Sequence, residues 1–206
     1  MISLRKMQKY KVQKENSSPR KTAVEDFNRR IAEIQEETHF QVFVCGPAIN
    51  RSASNKKCNG ATIRTLISKK MSQEGITVVW VEHLVSKNES PNIKKYRFDN
   101  AEKEVIFAVK HADLVIIFPA SPGSFAELGA FSINPKIAHK MIIVFDSRYK
   151  DKKSFVVTAV AKSAKKRKAI IKFMNYATPT KVWKGIERAL VESRDVKALG
   201  NLYATN

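Results

Sequence analysis

The chain has 206 residues, 43 % of them apolar: enough for one domain that buries about 70 % of its unfolded surface, too few for two. Wholesale disorder is excluded, and two cysteines, Cys45 and Cys58, with no paired Cys or His motif, exclude a disulfide framework and a metal site. Lys and Arg outnumber Asp and Glu by 38 to 19, and residues 1–22 and 148–172 carry net charges of +6 and +9 out of a total of +19. Such clustering suits a polyanionic partner, because each neutralised phosphate releases counterions. Met1–Lys6 has no long apolar stretch behind it, so no secretory signal is expected, and no window approaches the ~20 apolar residues that span a bilayer. A cytoplasmic protein that contacts no membrane is the expectation.

Residues 1–22 contain Ser17-Ser18-Pro19 and no apolar period, and read as a basic flexible arm ahead of a single α/β domain over 23–206. From Thr22, Val24, Phe27, Ile31 and Ile34 recur at helical spacing. Gln41 to Cys45 reads as a buried strand stopped by Gly46-Pro47. Residues 61–73 read as a helix with Ile63, Leu66, Ile67 and Met71 inward. Ile76 to Val81 is a second strand, and Val105, Ile106 and Val109 mark a helix before a third, Leu114 to Phe118. Met141 to Phe145 is a fourth strand, Phe155 to Ser163 looks helical, and Ala169 to Phe173 suits a fifth strand. Thr178 and Pro179 suit the N-cap and first residue of a last helix, with Val182, Ile186, Ala189 and Leu190 inward. Val/Ile runs alternating with helices imply a three-layer, doubly wound Rossmann-like or flavodoxin-like sandwich with a mostly parallel sheet of about five strands.

In such sheets ligands bind at the carboxyl ends of the strands. That rule selects Gly46-Pro47, Glu82-His83, Pro119 to Ser124 and Asp146 to Arg148, together with the first residues of the crossover helices, Asp99, Asn100 and Glu102. Asp113, before the third strand, falls at the far edge as a turn residue. Ser121 can cap a helix that begins at Pro122, Gly123 lets a ligand approach the backbone, and Ser124 offers a hydroxyl. Glu127 lies one turn on and points into the crevice. A capping-box Glu belongs at the third helical position, here Ser124, so capping does not explain it. Gly129 and Ala130 permit close packing on the sheet or on a neighbouring subunit. His83 reads as a satisfied loop histidine ahead of a base or phosphate contact, Trp80 and Trp183 as core or subunit-contact residues, and Arg51 and Arg64 as phosphate ligands or solvated side chains.

Val44-Cys45-Gly46-Pro47 followed by Ser121-Pro122-Gly123-Ser124-Phe125-Ala126-Glu127-Leu128-Gly129-Ala130-Phe131 resembles the nucleoside 2-deoxyribosyltransferase-like superfamily, and within it the effector toxins encoded beside retron reverse transcriptases. The resemblance covers roughly residues 40–150. It implies that Glu127 is the nucleophile on the anomeric carbon of NAD or a nucleotide, bound by Gly46, Pro47, Ser121, Pro122, Gly123 and Ser124. NAD or the nucleotide would be substrate, and no cofactor is expected. It further implies restraint by a reverse transcriptase and its branched RNA–DNA product, msDNA, in anti-phage defence, and a homo-oligomer whose pockets are completed across subunits.

The superfamily places a second acid at the start of the helix before the third strand, where this chain departs from the usual Asp. Glu102 is the expected substitute, sharing a face with Val105, Ile106 and Val109. Glu104, in line with Ala108 and His111, is expected to face solvent, and Asp99 and Asn100 remain open. Lys165, Lys166, Arg167 and Lys168 are the expected nucleic-acid contacts. Two other functions stay open: a nucleotide-sensing or nucleic-acid-binding module without turnover, and a nucleoside-monophosphate phosphoribohydrolase. The second of these families uses Pro-Gly-Gly-x-Gly-Thr-x-x-Glu, whose paired glycines and threonine are missing here.

Overall fold

A computed structural model describes residues 19–48, 59–84, 99–151 and 154–204; Cys58, Arg51 and most of the basic arm lie outside them. Helix α1, Pro19–Glu37, belongs to a unit that ends at Thr38, and His39–Asn206 form a second unit. In α1, Arg29 pairs with Asp26 at 2.9 Å and with Glu33 at 3.7 Å, the helical i,i+3 and i,i+4 spacings. Val24 and Phe27, expected inward, are exposed.

The second unit is built on five parallel strands: β1 (Gln41–Cys45), β2 (Thr77–Trp80), β3 (Leu114–Ile117), β4 (Met141–Asp146) and β5 (Ile170–Met174). Their order is β2-β1-β3-β4-β5, the flavodoxin-like arrangement. Strand alternation divides the core in two. Val42, Val44, Ile116, Ile142 and Val144 point to one face, and Phe43, Cys45, Val115, Ile117, Ile143 and Phe145 to the other, all fully buried. Each such aliphatic side chain contributes roughly 1.5–3 kcal/mol by leaving water.

Helices α2 (Asn59–Gln73) and α8 (Pro179–Ala204) cover the first face through Ile63, Ile67, Met71, Val182, Ile186 and Leu190. A four-residue helix, α3 (Val81–Leu84), follows β2 with no loop. Helices α4 (Asn100–Lys110), α5 (Pro122–Ile133) and α7 (Ala161–Lys166) cover the second face through Ala108, Leu128, Phe131 and Ala164, while α6 (Pro135–Ala138) leads into β4. The helical stretch expected over 155–163 begins as a π-turn, Val156–Val160, before becoming α7.

One inward assignment and one strand boundary are corrected. Leu66 is 38 % exposed, whereas Arg64, two residues before it, is completely buried. Val81 belongs to α3 and not to the second strand. At the edge where the strands begin, Asp113 is a fastening residue: its Oδ2 accepts from the Gln41 N–H at 2.8 Å and from Lys197 Nζ at 2.7 Å.

Candidate active site

The order reverses between β1 and β3: the chain leaves β1 toward one face, through α2, and leaves β3 toward the other, through α5. The carboxyl ends of these strands therefore open a crevice between diverging helices. Cys45-Gly46-Pro47 and Phe118-Pro119-Ala120 form its floor. The floor is tightly fitted. A Cβ on Gly46 would stand 3.3 Å from Phe118 Cβ and from Arg64 Cδ, and one on Gly60 would stand 2.8 Å from Ala120 Cβ and 3.0 Å from Pro47 Cγ. Gly60 thus lets the start of α2 press on both loops, a contact the sequence reading did not foresee.

The turn after β3 closes on itself. Ser121 is the N-cap of α5, its Oγ accepting from the Ser124 N–H, and Pro122 is the first helical residue. Ser124 is 1 % exposed; its Oγ accepts from the N–H groups of Ala120 and Ser121 at 3.0 and 2.9 Å and donates to the Ser121 carbonyl at 2.9 Å. The hydroxyl expected to meet a ligand is thereby held by the protein. Gly123 is exposed with open space about it, so ligand approach is possible there. Beside this turn, Tyr149 stands edge-on to Phe125 at 5.9 Å, and Asp146 accepts from Arg148 N–H at 2.9 Å, fixing the exit from β4.

Glu127, one turn into α5, is largely buried, and its Oε2 has no hydrogen-bond partner among the described residues. Burial pushes its carboxyl up to about 7; the charges of Glu104 and Glu82 push the same way, and Arg64 opposes them. Glu104, on α4, is itself raised by burial and by Glu82. Burial first, then the Glu127 charge, raises the neighbouring Cys45 thiol as well. The structure thus gathers Glu127, Glu104, Glu82 and Arg64 around the end of β1.

Glu102 is not among them. It is exposed, and it completes the capping box of α4: its N–H donates to Asp99 Oδ1 at 2.8 Å and its Oε2 accepts from the Asp99 N–H at 2.9 Å. The expected orientation is reversed, because α4 approaches the sheet most closely at Ala108, and Glu104 lies one turn before it on the same side.

Arg64 is neither a phosphate ligand nor solvated. Its guanidinium donates to both carboxylate oxygens of Glu82, at 2.8 and 2.6 Å, and to the carbonyls of Val44 and Pro47 at 3.0 and 3.1 Å. It also lies 5.6 Å from the centre of the Trp80 ring. His83 stacks on the same indole at 5.5 Å and accepts from the Trp80 N–H through Nδ1, in keeping with a satisfied histidine.

Lys165 and Lys166, the last residues of α7, and Lys168, in the turn before β5, are exposed at the opposite edge of the sheet. Arg167 is folded back, its Nη1 donating to Ser163 Oγ at 2.8 Å and to the Ser163 carbonyl at 3.1 Å. Lys168 has a φ of 72°, the left-handed residue that ends the helix, and Ala169 N–H reaches back to the Ala164 carbonyl. A groove of about 370 Å³ at this edge, lined by Phe40, Ile170, Val196, Lys140 and Lys197 among others, is remote from Glu127. Among the described residues no His/Cys/Asp/Glu group could hold a metal ion, and no helix is long and apolar enough to cross a membrane.

Fold and site together define an α/β protein of flavodoxin-like strand order with a desolvated carboxylate at its topological switch point. The family described as STM3845 retron effector protein matches residues 60–202, and the chain belongs to that family. A second likeness is local: 52 % identity over 44 residues to the Retron Ec86 putative ribosyltransferase/DNA-binding protein of Escherichia coli. The matched stretch is 21 % of this chain and 14 % of that protein.

Proposed function

We propose that this retron effector is a cytoplasmic toxin that cleaves the N-glycosidic bond of NAD or a nucleotide, with Glu127 as nucleophile and Glu104 as its acid–base partner. The observation that carries the reading is the buried Glu127 Oε2, an acceptor for which the described residues supply no donor. A buried acceptor left open at a switch-point crevice suits a reacting sugar. Two nearby carboxyls, each raised by burial, hold a proton at a pH where isolated ones are ionised. A ribose developing positive charge at C1′ favours ionised Glu127 and leaves that proton on Glu104.

Attack by Glu127 then forms a C1′–O bond and breaks C1′–N; a departing purine or pyrimidine takes the Glu104 proton, whereas the nicotinamide of NAD leaves as a neutral base and takes none. Water next attacks C1′ and the ester C–O bond breaks; the water's proton returns to Glu104 in the first case and goes to the released Glu127 carboxylate in the second. The products are free base and the hydrolysed sugar. Gly46, Pro47, Ser121, Pro122 and Gly123 shape the pocket, and Ser124 holds the loop.

The name of the Escherichia coli relative, ribosyltransferase/DNA-binding protein, agrees with a glycosyl-transfer site and a nucleic-acid partner. Restraint by the retron reverse transcriptase and msDNA belongs to the same proposal, with Lys165, Lys166 and Lys168 as the nucleic-acid contacts. So does self-association along α5, where Ala126 and Ala130 are exposed and Gly129 has open space about it. Pure protein incubated with NAD and a panel of nucleotides should release free base, seen by chromatography, and Glu127→Gln should cut the rate by about 10²-fold or more while keeping the fold. Nucleotide binding without base release would leave a sensing module as the better reading.

A further inference from the structure

Arg64 and Glu82 belong to the crevice, and the proposed chemistry does not use them. Arg64 comes from α2, on one side of the sheet, and both of its terminal nitrogens are held, while its buried Nε has no hydrogen-bond partner among the described residues. The Val44 and Pro47 carbonyls lie behind it, the Trp80 ring beside it, and both oxygens of Glu82 before it. Trp80 is itself fixed, its Nε1 donating to Ser68 Oγ at 2.9 Å. The absence of a loop between β2 and α3 sets Glu82 at the strand end, within reach of the guanidinium. Bidentate pairing of this kind fixes orientation as well as charge. A buried guanidinium whose charge acts on a desolvated carboxylate would ordinarily pair with it, yet Glu127 Oε2 has no partner among the described residues.

We propose that Glu82 is a positioning residue: by taking both Nη1 and Nη2 of Arg64, it keeps the guanidinium on the β1 turn and away from Glu127, so that the nucleophile remains unpaired. The inference rests on Glu127 being the nucleophile. Among the described residues, the charged or titratable groups that act on Glu127 are Glu104 from α4, Arg64 from α2, Glu82 from α3 and Cys45 from β1. Glu82 and Glu104 favour its protonated form and Arg64 its ionised form. Cys45, its own thiol raised, stays neutral.

Neutralising Glu82 leaves the cation in place with one less anion to satisfy it. Glu127→Gln, Glu82→Gln and the unaltered full-length protein would be compared by carboxyl ¹³C NMR titration and by the pH dependence of kcat/KM. The unaltered protein should contain a carboxyl titrating near 7 that vanishes in Glu127→Gln. In Glu82→Gln that carboxyl should move down by about one pH unit, and the acidic limb of kcat/KM should move with it. A purely structural Glu82 would lower activity at every pH and leave both midpoints where they were, and that result would overturn the proposal. The NMR arm needs no substrate: if no nucleotide is cleaved but the midpoint moves, the glycosidase reading fails and the charge relationship stands. Should Glu82→Gln fail to fold, Glu82→Asp gives the same test, because a shorter carboxylate that loses the bidentate contact should also lower the midpoint.

Discussion

Ser121 and Ser124 cap each other. The Ser124 N–H donates to Ser121 Oγ, the Ser121 N–H donates to Ser124 Oγ, and together they account for the first turn of the helix that carries Glu127. The Ser124 hydroxyl makes three backbone contacts while 99 % covered, so it is a fastener and not a ligand group. Ser124→Ala strands the Ala120 and Ser121 N–H groups and should cost about 1–2 kcal/mol. Thermal unfolding should fall accordingly. Turnover should drop through a lower kcat, with substrate binding changed little, because the loss lies in the placement of Glu127.

Glu102 and Glu104 sit two residues apart on α4 and should behave differently. Glu102 closes a capping box in the open, so Glu102→Gln should cost no more than about 1 kcal/mol and leave base release within a few-fold of normal. Glu104→Gln removes the proposed proton carrier and should lower kcat by about 10²-fold or more, with melting temperature unchanged or raised. Parallel melting curves and base-release assays on the two variants check this. Equal losses from both would detach the acid–base role from Glu104.

The contrast marks where the sequence was readable. Buried parallel strands announce themselves as Val/Ile runs, and Thr178-Pro179 marks the start of α8, so layer architecture and strand count followed. The Ser121–Glu127 segment was legible because N-cap chemistry has a fixed register. Which flank of an amphipathic helix turns inward was not legible. Ile63, Ile67 and Met71 define a face that both Arg64 and Leu66 border, and burial of Arg64 depends on Glu82 and on backbone carbonyls brought together only by the sheet. On α4, bulky Val105, Ile106 and Val109 suggested one centre for the buried face. The helix instead approaches most closely at small Ala108, which brings Glu104 inward.

The basic turn makes a prediction independent of catalysis. Lys165, Lys166 and Lys168 lie at the edge where strands begin, and Glu127 at the edge where they end, about 15–20 Å away along five or six residues of strand. Lys165→Ala, Lys166→Ala and Lys168→Asn combined, the Asn chosen because it tolerates the left-handed backbone, should weaken binding to a DNA duplex. The slope of log K against log salt should flatten by about 2–3, one phosphate per lysine. Base release by the free protein should be unaffected. An unchanged slope would return these lysines to the solvated surface.

Glu127 should also lower the stability of the fold that carries it, with a definite pH signature. Its carboxyl titrates about 7 in the folded protein against an ordinary 4.5. Between those values the folded state binds the proton that the unfolded chain has released, so stability falls as pH rises from about 4.5 to about 7 and then levels off. Glu127→Gln removes the ionisable group and with it this loss. The variant should therefore match the unaltered protein near pH 4.5 and exceed it above pH 7 by on the order of 2–3 kcal/mol, an upper figure since part of the side chain meets solvent. Denaturant unfolding of both proteins at several pH values from 4.5 to 8 measures the difference directly. A constant difference across that range would mean that Glu127 is ionised throughout and sits in water, and the desolvated carboxylate on which the catalytic reading depends would be gone.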